Sequence, residues 1–243
     1  MIGPGRPDPG EPVLRPPASF LGAPTGDLED LAAGDVALVG LFLDHGDATG
    51  FGARFAARQI RYASRPAYGV PLEPVATPAR HGRVLDLGDL NVFPLEPARQ
   101  REALERQFAA LLGSGARFVV VGGAQELGAI VVAAAGHAGA AGRALSPVAL
   151  HGDGAHALRL APPAGELFVT VNLAPLLDAA ADRRAKTRLI ESIHALPPGR
   201  VRAAHLTGLA PELDLSARAE TALAARVLEA LARQLAQEAP PCR

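Results

Sequence analysis

With 243 residues, of which 49% are hydrophobic and 20% charged, the chain is long enough to bury one sizeable α/β core. Its formal net charge is −1 and its Lys and Arg residues form no block, which argues against nucleic acid as a partner. No apolar run reaches the roughly 20 residues of a membrane span, so a membrane-embedded protein is not expected either.

The N-terminal segment is crowded with Pro and Gly, which restrict or loosen the backbone and disfavour regular elements. We therefore expect an extended arm at residues 1–30, followed by a single domain at residues 31–243. The first residues, MIGPGRPDPGEPVLRPP, lack the apolar segment of a signal peptide. The only cysteine, Cys242, has no second thiol for a disulfide or a zinc site, so we expect a cytoplasmic protein.

Six short apolar runs recur along the domain and alternate with segments of helical character. The runs comprise residues 36–43, 83–87, 117–121, 147–150, 167–171 and 201–206. Each is typical of a parallel strand that is covered on both faces. The alternation predicts a mostly parallel, doubly wound sheet between two layers of helices, a three-layer α/β/α fold.

Two of the helical segments carry a clear apolar stripe that should face the sheet. The stripes are Leu104, Phe108 and Leu111 in one segment, and Leu223, Val227, Leu231 and Leu235 in the other. Gly113 stands where a C-terminal cap would fall, and Asp214 or Ser216 where an N-cap would precede the last helix. In such sheets ligands bind beyond the carboxyl ends of the strands, so the loops there are where a site is expected.

Three stretches of the chain resemble the ureohydrolase family, which includes arginase and agmatinase. Residues 35–64 are similar to its first strand and helix, with a Gly-Ala-Arg-Phe turn followed by an Ile-Arg pair that ends at Arg61. Residues 84–123 resemble its second and third units and include an Asp-x-Gly-Asp strand end at residues 86–89. Residues 209–231 are similar to its closing turn and long helix. The resemblance implies an arginase-like fold.

The resemblance also implies a metal site, because the family uses two manganese ions to activate the hydroxide that attacks a guanidinium carbon. Its metal ligands come from the motifs Gly-Gly-Asp-His-Ser, Asp-Ala-His-x-Asp and Asp-x-Asp. This chain departs from all three motifs. The positions that correspond to family ligands are occupied by Gln125, Asp153, Ala155, Ala157, Asn172 and Ala174. Of these, only Asp153 keeps the residue type of a ligand, and Gly208 aligns with a glutamate of the family's pocket.

The spacing between the motifs differs from the family as well. Asp153 and Asn172 are 19 positions apart, whereas the family places several tens of residues between the corresponding motifs. The missing stretch normally carries substrate-binding loops and a strand-helix unit. Because most ligands and part of the pocket wall are replaced or missing, we expect no manganese and no other cofactor.

His151, Asp153 and His156 are the remaining candidates for a catalytic or metal site. They follow the fourth strand, and a single metal ion with help from Asn172 and His205 is one reading. The other is that His151 packs beneath the sheet end and that His156 is a solvated loop residue. A third possibility is a sensor that binds a guanidine or an amine in the old pocket, with Glu126 and Asp153 as the acidic wall.

Three further groups of residues have both a functional and a plainer interpretation. The segment Asp44-His45-Gly46-Asp47 contains acid-base residue types, but Asp and Gly favour a turn. Gly122 and Gly123 precede a helix that could bind an anion, but no Lys, Ser or Thr of a phosphate loop follows. Arg54, Arg58 and Arg61 have helical spacing and could grip an acidic partner, although such a stripe is more often solvated.

The sequence therefore favours a catalytically silent ureohydrolase homologue, a pseudoenzyme that acts as a structural or regulatory subunit. Its expected partners are further copies of itself or an active ureohydrolase relative, since the family commonly forms trimers or hexamers. The alternative is a divergent hydrolase that acts on a guanidino or amidino C–N bond, or on another substrate, through a one-metal or metal-free site around Asp153.

Overall fold

A computed structural model describes residues 18–44, 52–65, 70, 82–123, 127–137, 145–150, 165–176, 183–210 and 219–237. Within them, six strands form one sheet. They are β1 (Val36–Gly40), β2 (Val84–Asp89), β3 (Arg117–Val121), β4 (Leu145–Leu150), β5 (Glu166–Asn172) and β6 (Val201–Thr207). The strand order is β2-β1-β3-β6-β5-β4, and every neighbouring pair is parallel. Each of the six strands overlaps one of the six apolar runs of the sequence.

Helices cover both faces of this sheet. They are α1 (Ala56–Ala63), α2 (Pro97–Gly113), α3 (Leu127–His137), α4 (Arg183–His194) and α5 (Ala219–Leu235). Helices α1, α4 and α5 contribute to the hydrophobic core on one face, and α2 and α3 to the core on the other. The predicted three-layer α/β/α architecture is confirmed. None of the described helices is both long and apolar enough to cross a lipid bilayer.

The central strand β1 shows why the strands read as continuous apolar runs. Val36 and Leu38 point into the core with α1, whereas Ala37 and Val39 point into the core with α2. Because successive side chains alternate between two covered faces, every residue of β1 is buried. Strand β1 ends at Gly40, three residues before the end of its apolar run.

The apolar stripes of α2 and α5 face the sheet as predicted, with each stripe residue no more than 9% exposed. The end of α2 differs from the prediction in one detail. Gly113 is the last helical residue, and the left-handed position falls two residues later, at Gly115, whose φ is +80°. The N-cap expected at Asp214 or Ser216 lies outside the described residues.

The N-terminal segment packs against the domain from residue 18 onward. Phe20 is fully buried, and Thr25 forms a parallel bridge with Asp86 of the edge strand β2. The packed part of the chain therefore begins before the predicted boundary at residue 30. Residues 1–17 of the predicted arm lie outside the described residues.

Candidate functional site

The carboxyl ends of β3 and β6 are joined through polar side chains of β6. Ring atom Nε2 of His205 lies 2.8 Å from the carbonyl oxygen of Gly122, and the Thr207 hydroxyl donates to the carbonyl oxygen of Gly123 at 2.7 Å. His205 is fully buried and Thr207 is 2% exposed. Both side chains thus hold the Gly122-Gly123 turn from within the protein.

Asn172 ends β5 next to this turn. It stands opposite Thr207 in the β5–β6 register, and its side chain is nearly fully buried. Its Oδ1 accepts a hydrogen bond from the backbone N–H of Ala174 at 3.0 Å. The amide oxygen therefore caps the short 3-10 helix Ala174–Leu176, a local role that Asn commonly takes in turns.

Gly208 follows β6 and lies against the backbone of the β5 end. Its φ of +82° falls in the left-handed region that only glycine adopts readily. A Cβ atom at this position would lie 2.1 Å from Asn172 Oδ1 and 2.6 Å from the Ala174 backbone nitrogen. A side chain at the place that the family resemblance assigns to a pocket glutamate would therefore have to displace the end of β5.

The described positions do not fit a pair of divalent cations. Such ions need several carboxylate oxygens, but Asn172 offers a neutral amide that already accepts a hydrogen bond, and Ala174 has no side-chain donor atom. Among the residues that the structure describes, no three His, Cys, Asp or Glu side chains could hold a metal ion together.

His205 and Asn172 were the proposed helpers of a single-metal site, and the sheet register separates them. His205 stands opposite Thr170, whereas Asn172 stands opposite Thr207, two residues further along the strands. The ring of His205 is fully buried and is hydrogen-bonded to the carbonyl oxygen of Gly122. The other sequence-derived site residues lie outside the described part of the chain and stay predictions. They are Gln125, Glu126, His151, Asp153, Ala155, His156 and Ala157.

Asp44 lies four residues after the end of β1, and its carboxylate holds the turn that precedes α1. Its Oδ1 accepts hydrogen bonds from the backbone nitrogens of Gly52 and Arg54 at 3.3 and 2.7 Å. The Arg54 guanidinium lies 3.4 Å from its Oδ2. This arrangement agrees with the turn role that the sequence favoured over catalysis; residues 45–47 lie outside the described ranges.

Arg61 is not part of a solvated basic stripe, which corrects the sequence interpretation. Arg54 and Arg58 are exposed, but the side chain of Arg61 is only 1% exposed. Its Nε and Nη2 bind both carboxylate oxygens of Asp86 at 2.9 Å, and its Nη1 binds Asp89 at 2.6 Å. Arg54 lies in the 3-10 turn before α1, and Arg61 lies on the buried side of α1 whereas Arg58 does not, so the three residues do not form one stripe.

The ion cluster of Arg61, Asp86 and Asp89 offsets the cost of burying the Arg61 charge. Burial alone lowers the pKa of Arg61, but the hydrogen bonds and charges of Asp86 and Asp89 outweigh it, so the pKa is raised above its ordinary value. Arg61 stays a cation with both partners in place. The sequence did carry a signal for the pair, since the Ile-Arg helix and the Asp-x-Gly-Asp strand end were both quoted as family features.

Comparison with known proteins agrees with this architecture. Residues 34–150 match the sequence profile of the Arginase family. No curated protein matches the chain by sequence.

Three solved structures share the fold. Proclavaminate amidino hydrolase from Streptomyces clavuligerus is 17% identical, with a TM-score of 0.67 over 90% of this chain and 97% of that one. A hypothetical agmatinase from Burkholderia thailandensis is 19% identical, with a TM-score of 0.66 over 89% and 90% of the two chains. Formimidoylglutamase from Bacillus subtilis is 14% identical, with a TM-score of 0.65 over 97% of each chain. The profile match over residues 34–150 and the arginase-like fold together make this chain similar to the ureohydrolase (arginase) family.

Proposed function

We propose that this chain is a non-catalytic ureohydrolase-like protein, a pseudoenzyme that serves as a structural or regulatory subunit of an oligomer. The observation that carries the proposal is the closed end of β5 and β6. There, the amide of Asn172 and the backbone of Ala174 occupy the space beside Gly208 that a pocket side chain would need.

The electrostatics of this region support the proposal. Two dications held close together repel each other strongly, and only several carboxylates offset that repulsion. Asn172 contributes no charge, Ala174 contributes no donor, and Gly208 cannot be replaced by an acidic residue without moving the β5 end. A binuclear hydrolytic centre is therefore not expected at these strand ends.

The rest of the fold supports a role that depends on shape. Both hydrophobic cores are continuous, and the central strands β1 and β3 are buried along nearly their whole length. Fold alone does not determine function, so a ureohydrolase fold without its ligand set is compatible with a scaffold. Three similar structures are named as an amidino hydrolase, an agmatinase and a formimidoylglutamase. We propose that this chain binds further copies of itself or an active relative of that kind.

The test is metal analysis combined with activity. The purified chain is incubated with manganese, freed of unbound metal, and measured for bound manganese and for urea release from agmatine and arginine. We expect well under one ion per chain and no urea. Two ions per chain together with urea release would overturn the proposal.

Light scattering addresses the subunit role separately. The mass of the chain alone tests the homo-oligomer, and a mixture with an active ureohydrolase from the same genome tests the hetero-oligomer. A chain that stays monomeric at all concentrations and does not change the mass or the activity of the relative would refute the subunit role.

A further inference from the structure

Strand β2 lies at one edge of the sheet, where unpaired backbone groups would invite a second chain. At two residues of β2, Asp86 and Gly88, the backbone N–H and carbonyl groups form hydrogen bonds with groups other than a neighbouring strand of the sheet. Residues 18–26, here called the N-terminal strap, run along this edge. Their contacts show how the edge is closed.

The strap satisfies the backbone of Asp86. The backbone nitrogen of Asp86 donates to the Pro24 carbonyl at 2.9 Å, and that of Gly26 donates to the Asp86 carbonyl at 3.1 Å. Thr25, between them, forms the parallel bridge with Asp86. At this residue the strap takes the place that a neighbouring strand would occupy.

Side chains satisfy the backbone of Gly88, one step further along β2. Its N–H donates to Asp86 Oδ1 at 2.9 Å, and its carbonyl accepts from Arg61 Nη2 at 2.9 Å. Arg61 therefore does more than neutralise Asp86 and Asp89. It also closes the end of the edge strand that the strap does not reach.

Phe20 connects the strap to this ion cluster. Its ring is fully buried and lies 4.0 Å from the Arg61 guanidinium carbon, a cation–π distance. Its backbone nitrogen donates to Asp86 Oδ2 at 2.8 Å. One residue of the strap is thus anchored to both members of the buried ion pair.

We propose that the N-terminal strap is a closure that keeps β2 from pairing with a second copy of this chain, and that Phe20 and Arg61 hold it in place. When the strap is released, Asp86 regains an open N–H and carbonyl at the sheet edge. The closure confines any native oligomer to surfaces other than this edge. It does not depend on whether the chain is an enzyme.

The test compares Phe20→Ala with Phe108→Ala, each of which deletes a fully buried phenylalanine ring, from opposite faces of the sheet. Light scattering over a dilution series gives the mass, and hydrogen exchange reports on the backbone at residues 84–88. For Phe20→Ala we expect a mass above that of the parent that rises with concentration. We also expect exchange at Asp86 to be about tenfold faster in dilute solution, the factor that corresponds to roughly one lost hydrogen bond. Phe108→Ala should show neither change.

Two outcomes overturn the proposal. If both variants self-associate, association follows from general destabilisation and not from the open edge. If Phe20→Ala keeps the parent mass and the parent exchange at residues 84–88, the strap is not a closure. Should the alanine variants fail to fold, Phe20→Leu and Phe108→Leu replace them, with the same outcomes deciding.

Discussion

Replacing Gly208 by alanine adds one methyl group where the ends of β5 and β6 touch. The new Cβ would lie 2.1 Å from Asn172 Oδ1 and 2.6 Å from the Ala174 nitrogen, well inside van der Waals contact. The residue would also have to keep a φ of +82° or distort the turn. We expect Gly208→Ala to destabilise the protein for both reasons.

The two costs can be worked out separately. A non-glycine residue in the left-handed region costs about 1–2 kcal/mol, and overpacking costs about 1–3 kcal/mol more. The sum of about 2–5 kcal/mol is a large part of the roughly 5–15 kcal/mol that stabilises a typical domain. With an m-value of about 2 kcal/mol per molar urea, the unfolding midpoint should fall by about 1–2.5 M.

Two other glycines provide matched controls for this experiment. Gly22 has a φ of +68°, but a Cβ there would meet no atom within 4 Å, so Gly22→Ala measures the backbone cost alone. Gly113 ends α2 without a positive φ and also has open space around it. Gly113→Ala should be neutral or should stabilise by up to about 1 kcal/mol.

Urea unfolding followed by circular dichroism gives all three free energies under the same conditions. We expect Gly113→Ala to be the most stable of the three variants, Gly22→Ala to be intermediate and Gly208→Ala to be the least stable. If Gly208→Ala is as stable as Gly22→Ala, the β5 and β6 ends are not in contact, and the steric argument against a pocket side chain at this position fails.

Three further predictions concern other charged groups. Arg61→Met should lower the free energy of unfolding in urea by about 3–5 kcal/mol, because it leaves Asp86 buried without its partner. Adding Asp86→Asn to this variant should recover part of the loss, and no recovery would contradict the pairing. Burial raises the pKa of Asp35, but the hydrogen bonds that its carboxylate accepts from Arg83 and Ala32 outweigh burial and lower the pKa below 3.8. The ionised Asp35 therefore stabilises the protein at neutral pH, and this stabilisation is lost in acid as the pH falls through the lowered pKa. Asp35→Asn should therefore be less stable than the parent at pH 7, with a difference that shrinks toward pH 3; a constant difference in urea unfolding would refute the linkage. Asp153→Ala should leave manganese content and melting temperature in the presence of manganese unchanged, and a loss of either would favour the divergent hydrolase.

The architecture could be predicted from the sequence because each parallel strand is buried on both faces and so leaves an uninterrupted apolar run. Strand β3 is the simplest case, since its run and its observed bounds are the same residues, 117–121. Strand ends that depend on contacts with an adjacent strand were predicted less accurately. The run that gives β1 continues to residue 43, but the strand ends at Gly40, where a Cβ atom would lie 1.9 Å from Asp89 Oδ1.

The buried role of Arg61 could not be predicted from helical spacing alone. The spacing assumes one continuous helix from Arg54 to Arg61, but Arg54 lies in a 3-10 turn before α1. Spacing also does not reveal which side chains of α1 are buried against another part of the protein, and of the three arginines only Arg61 is buried. The steric role of Gly208 was hidden for a similar reason. A glycine in a sequence does not reveal whether another backbone approaches it, and here the approaching backbone is 34 residues away, at Ala174.

The closure of the β2 edge bears on what the match to the Arginase family implies about activity. Arg61, Asp86 and Asp89 all lie within residues 34–150, the range that matches the Arginase family. Asn172, Ala174 and Gly208 lie beyond it, as do two of the three ligand motifs. The matched range thus contains four of the six strands and the Arg61 ion cluster, but not the ends of β5 and β6. Assigning a ureohydrolase reaction from that match would therefore infer chemistry from fold alone.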